Sequence, residues 1–128
     1  MATHTVKFGI DGSGRARNKE ISYTEAGVAL IDGETVATAE TDYEMVFALD
    51  VSECKSFYLE SDQDVTFETN DGAAPDNTIA LRANEPYVWH EEAYDAFLLD
   101  TDVTSVFFTN ASGSTATIYC LALYDVTA

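Results

Sequence analysis

The sequence predicts an all-β fold, an antiparallel β-sandwich or jelly roll of about eight to ten short strands, on three observations. Apolar and polar residues alternate with a period of two over many short stretches. Gly, Asn, Asp, Ser and Pro recur between those stretches as turn formers. No segment of about ten or more residues carries a helical repeat. With 128 residues, the chain suits a single β-sandwich domain spanning 1–128, able to bury roughly two thirds of its unfolded surface.

Taken in order, residues 3–10 alternate His4, Val6, Phe8 and Ile10 with Thr5, Lys7 and Gly9, the pattern of a half-buried strand. Asp11-Gly12-Ser13-Gly14-Arg15-Ala16-Arg17-Asn18-Lys19 follows, where the glycines interrupt the strand, and residues 11–19 are expected to form a basic, flexible loop or arm. A short strand is expected over 20–23. Val28-Ala29-Leu30-Ile31 and Thr35-Val36-Ala37-Thr38, separated by Asp32-Gly33 and Glu34, read as a tight hairpin, because Asp-Gly supplies a common two-residue turn. Residues 43–50 place Tyr43, Met45, Phe47 and Leu49 on one face, expected to enter the core. Residues 57–60 and 65–69 read as a second hairpin about the polar turn Ser61-Asp62-Gln63-Asp64.

Asn70 to Asn77 contains Gly72 and Pro75 and cannot be a strand interior; pairing is expected to resume at Thr78-Ile79-Ala80-Leu81. Tyr87-Val88-Trp89 makes a strand after Pro86, and Glu91-Glu92-Ala93-Tyr94 a helical turn or bulged loop. Residues 105–124 read as one long hairpin that closes a sheet: a β-branched and aromatic arm, the turn Ala111-Ser112-Gly113-Ser114-Thr115, and an alternating second arm. Val65 to Asn70 and Val106 to Asn110 echo one another, each ending in Thr-Asn, which suggests comparable positions in the sandwich; shared turn chemistry, rather than duplication, is the plainer explanation of so short a match.

The chain carries 23 acidic and six basic side chains, a formal charge of -17, yet it is 46% hydrophobic and 12% aromatic. Acidic disordered chains are poor in aromatics, so a folded acidic domain is expected. Such a field disfavours nucleic acid and anionic membranes as direct partners. Neither a signal-peptide core nor a membrane span is evident, so synthesis in a cytoplasm is expected. Four of the basic residues lie between Lys7 and Lys19. If that segment is extended, Arg15, Arg17 and Lys19 project from one side and can hold an acidic partner surface; a solvated loop is the plainer reading. Cys54 and Cys120 read as reduced, buried thiols, with pairing after release as the other reading.

Catalytic machinery is not evident, and the protein is not expected to be an enzyme. His90-Glu91-Glu92 begins like a zinc-protease helix, but Tyr94 stands where the second histidine would be. With only His4 and His90 present, no transition-metal site is expected, and no cofactor. Asp62-Gln63-Asp64 and Asp100-Thr101-Asp102 can converge on a hard cation, but they lack the ligand series of a calcium loop and read as turn caps. Tyr87 and Trp89, two apart on one strand with Tyr94 nearby, make a candidate aromatic platform for a carbohydrate or receptor, though aromatics at such spacing more often fill a core or an oligomer interface. Asn110-Ala111-Ser112 matches a glycosylation sequon and reads as a turn.

The combination of Leu59-Glu60-Ser61-Asp62-Gln63-Asp64-Val65-Thr66, Thr69-Asn70 with the Ala-Pro-Asp loop, Tyr87-Val88-Trp89, Asp102-Val103-Thr104 and Thr109-Asn110-Ala111-Ser112-Gly113 resembles small acidic β-sandwich proteins of tailed bacteriophages and prophages that decorate or cement the head shell. The resemblance covers about residues 57–123 and is one of strands and turns. It implies a non-enzymatic structural protein of the virion's capsid surface, made in the bacterial host cytoplasm. It further implies binding to the major capsid protein lattice, often as a trimer over local symmetry axes. On that reading Arg15, Arg17 and Lys19 touch acidic shell surface.

Overall fold

The computed structural model describes residues 1–127. Among them ten strands form three antiparallel sheets, and the fold is a β-sandwich with a two-stranded arm. The arm pairs β1 (Ala2–Gly12) with β2 (Arg15–Glu25). The sandwich packs one four-stranded sheet, in the order β3 (Gly27–Val36), β10 (Ala116–Tyr124), β5 (Cys54–Ser61), β8 (Tyr87–His90), against a second. The second has the order β4 (Tyr43–Leu49), β9 (Val103–Thr109), β6 (Val65–Thr69), β7 (Thr78–Leu81). Within the sandwich only the β6–β7 connection stays in one sheet; every other passes between sheets, which makes the topology a jelly roll. No helix among the described residues is long and apolar enough to cross a membrane.

The core follows from strict alternation. In β4, Met45, Phe47 and Leu49 are buried while Val46 is exposed, and Tyr43, at the strand's start, lies at the rim rather than in the core. In β6 and β9, Phe67 and Phe108 sit opposite one another in register, their rings edge to face at 5.4 Å. Phe47 from one sheet meets Phe57 from the other at 6.3 Å and 86°, so the aromatic layer bridges the two sheets. Full burial of each such side chain contributes about 2–3 kcal/mol.

Three connections differ from the sequence expectation. Residues 105–124 are no hairpin: β9 and β10 lie in opposite sheets, and the 110–115 turn carries the chain across the core. Asn110 fixes that crossing. It is fully buried, its Nδ2 donates to the carbonyls of Val36 (3.0 Å) and Ser114 (2.8 Å), and its Oδ1 accepts from the Ser112 amide and hydroxyl. The segment 57–69 is likewise no hairpin, because β5 and β6 belong to different sheets. Gly, Asn and Ser serve a tight turn and an inter-sheet crossing equally well, so turn chemistry alone does not separate the two.

Asp32-Gly33 makes no turn at all. β3 runs through it as a single strand, and Gly33, at φ 73°, is the extra residue of a bulge where the register against β10 shifts between Ile118 and Tyr119. The Thr-Asn echo also divides. Thr69-Asn70 leads into a hairpin partner within its sheet, whereas Thr109-Asn110 leads out of that sheet. Yet each asparagine is a side-chain node. Asn70 donates to Asp76 and to the Asp102 carbonyl and accepts from Thr104, tying the β6–β7 loop to the start of β9.

Candidate functional site

Of the two forms expected for 11–19, loop or arm, the structure shows an arm: the segment is the tip of a hairpin. Ser13 (φ 54°) and Gly14 (φ 74°) are its two central residues, and paired positive φ values suit the twist of a two-residue hairpin turn. From there β1 and β2 pair without interruption over eleven residues each, a ribbon roughly 35 Å long. Register places Ile10 opposite Arg17, Phe8 opposite Lys19, Val6 opposite Ile21 and His4 opposite Tyr23. Side chains alternate across a strand, so one face of the ribbon carries His4, Val6, Phe8 and Ile10 beside Tyr23, Ile21, Lys19, Arg17 and Arg15. The other carries polar pairs: Thr3 with Thr24, Thr5 with Ser22, Lys7 with Glu20.

The first face has two halves. Its base docks on the outer face of the β3-β10-β5-β8 sheet. There His4 Nδ1 is hydrogen-bonded to Ser56 Oγ at 2.8 Å, the Tyr23 hydroxyl to His90 Nδ1 at 3.3 Å, and the Phe8 ring lies 5.2 Å from the His90 ring. Leu123, on the outer face of β10, is fully buried where the ribbon crosses it. Burial lowers the pKa of His4 and raises that of Tyr23, with Glu92 and Glu91 adding to the rise at Tyr23. Both histidines of the chain therefore sit in this joint.

Beyond the joint, residues 7–20 are exposed on both strands. Ile10 is 81% exposed and Phe8 44%, beside Arg15, Arg17 and Lys19, for which no ion pair is formed among the described residues. Charge is sharply divided. Residues 1–25 hold Lys7, Arg15, Arg17 and Lys19 against Asp11, Glu20 and Glu25; residues 26–128 hold only Lys55 and Arg82 against all the other acids. The condition set on the basic segment is met: it is extended, and its three cations share one face. Phe8 and Ile10 are the additions, read from sequence as half-buried core. Their place on the cation face was readable, because the alternating parity of 4–10 reappears at 15–23 in mirror image about Ser13-Gly14.

Tyr87 and Trp89 share a face, as their spacing predicts, but it is the face toward the core, opposite Leu59 and Phe57. Phe97 stacks on Trp89 at 4.3 Å and 8°, the indole N–H donates to the Asp95 carbonyl, and the Tyr87 hydroxyl accepts from the Leu98 amide. Tyr94 stands fully exposed on the following turn. The three border an open groove of about 500 Å³ together with Phe8 and Lys19 of the ribbon, but one Trp89 ring face and its N–H are already engaged.

The Asp pairs cap backbone. Asp62 accepts from the Thr117 amide, Asp64 from Ala83 and Asp102 from Val51, while Asp100 accepts from Asn77 and Thr101, bonds that hold its carboxyl below the usual range. No cluster of three or more His, Cys, Asp or Glu side chains suited to a metal ion occurs among the described residues. Cys54 and Cys120 are both free and buried. Compared with known proteins, the chain matches no family model, no curated protein and no solved structure.

Proposed function

We propose that this protein is a non-enzymatic decoration, or cement, protein of a tailed-phage virion, binding and stabilising the assembled capsid shell. One observation carries the reading: a two-stranded β-ribbon extends from a strongly acidic jelly roll and gathers Arg15, Arg17 and Lys19 with exposed Phe8 and Ile10 on one face. Apolar side chains beside unpaired cations make a surface suited to an acidic protein partner. The acidic remainder keeps free copies apart before assembly. A weak contact of this kind becomes firm when a lattice of the major capsid protein presents many sites to an oligomer, a trimer being favoured by the family resemblance.

Replacing residues 9–18 by an Asn-Gly turn shortens the ribbon and leaves the docked base intact. The shortened protein is expected to keep its melting temperature and to lose occupancy on purified heads of the phage or prophage that encodes the chain. Full occupancy would remove the ribbon from the account. The groove at Tyr94 favours a second reading, a carbohydrate- or receptor-binding module using Tyr87, Trp89 and Tyr94. Glycan-array binding that disappears in Tyr94→Ala would support it.

A further inference from the structure

The ribbon is joined to the sandwich in an unusual way. β1 and β2 form a sheet of their own, with no ladder to any other strand. β2 ends at Glu25 and β3 begins at Gly27, so Ala26 alone redirects the chain from one sheet into the other. Gly27 is buried and packs so tightly on Tyr124 that a Cβ there would lie 2.5 Å from the Tyr124 ring. Only Ala26 separates the docked ribbon from β3, and short hinges of this kind favour exchange of the flanking element between copies.

What holds the ribbon down is equally transferable. The joint is made by side chains, His4 on Ser56 and Tyr23 on His90, with Val6, Ile21 and Leu123 beside them. The same contacts form whether the ribbon belongs to the same chain or to a neighbour. Charge favours the neighbour: the ribbon carries a small net positive charge and the sandwich nearly all the acid, so a foreign ribbon is attracted where two sandwiches alone repel.

We propose that residues 1–25 exchange between copies, the ribbon of one chain docking through His4, Val6, Ile21 and Tyr23 on the Ser56–His90 face of a second copy of this chain. β2 and β3 then run on through Ala26 as one extended segment spanning two sandwiches. The basic tip stays outside the exchanged joint, free for another partner. The inference stands on the hinge and the joint, and does not depend on the capsid reading.

Two chains of distinguishable mass test it, one carrying His4→Cys and the other Ser56→Cys. They are unfolded, refolded together and mildly oxidised. Exchange predicts a disulfide between the two chains, visible as a mixed dimer on a non-reducing gel. The double variant, with both cysteines in one chain, should give covalent multimers; an exclusively intrachain crosslink would overturn the proposal. Native mass spectrometry of the unmodified chain provides a check independent of these variants. An oligomer that shifts toward monomer when a flexible Gly-Ser segment is inserted after Ala26 supports exchange. A monomer at every concentration, or an oligomer untouched by deleting residues 1–25, overturns it.

Discussion

His4 and Ser56, 52 residues apart in sequence, meet at 2.8 Å and fasten the basic ribbon to the acidic sandwich. Around that contact the chain places its other histidine, His90, within reach of Tyr23 and Phe8. A ribbon held this way is docked at its base and exposed at its tip, which lets a small domain present cations away from its own acidic surface.

The joint should respond to acid. Burial lowers the pKa of His4 from its ordinary 6.5, so the docked ribbon binds fewer protons than an undocked one. Its contribution to docking is therefore full above pH 6.5 and is lost as the pH falls through the lowered value. Faster hydrogen exchange in β1 and β2 is expected as the pH falls from 6.5 toward and through the lowered value, after correction for the intrinsic rate, with the sandwich amides unchanged. In His4→Gln this pH dependence should be much reduced.

Asn110→Ala should cost about 2 kcal/mol in urea unfolding, since the buried Val36 carbonyl loses its side-chain donor and the Ser114 carbonyl keeps only the Ser112 hydroxyl. Asn110→Asp should be as costly, because a carboxylate donates to neither.

Jelly-roll strands were legible here and, the β6–β7 hairpin apart, their connections were not. β4, β6, β7 and β8 follow from alternation and from breakers such as Pro75 and Pro86, and Phe47 and Phe67 fall where their parity places them. Whether the chain turns back after Thr109 or crosses to the other sheet depends on long-range pairing, and Asn110-Ala111-Ser112-Gly113 suits either. Gly33 shows the same ambiguity, a bulge written in hairpin letters. At the candidate site, the shared side of Arg15, Arg17 and Lys19 was readable from spacing. The exposure of Phe8 and Ile10 was not, because alternation marks a face and does not say whether a partner within the chain covers it.

Trp89 and Tyr94 should separate under mutation. Trp89→Ala removes the partner of the Phe97 ring and is expected to lower stability by about 2 kcal/mol. Tyr94→Ala, on an exposed turn, should stay within about 0.5 kcal/mol of the parent. Denaturant titrations of the two variants check the difference.

Both thiols should be inert in the folded protein. Burial pushes Cys54 up to about 12 and Cys120 well above the usual thiol range, and the thiolate is the reactive form. A thiol-specific chromogenic reagent at pH 8 should label neither in the native state and both in denaturant. Native labelling would mean that the 54–61 and 116–124 strands open readily.

The central claim is that the cations at the ribbon tip engage an acidic shell. Cosedimentation of purified heads with the triple variant Arg15→Glu, Arg17→Glu, Lys19→Glu tests it most directly, with the melting temperature measured alongside. The account predicts an unchanged melting temperature, saturable binding by the parent that weakens with added salt, and loss of binding in the variant. Binding of the variant equal to the parent's would contradict it.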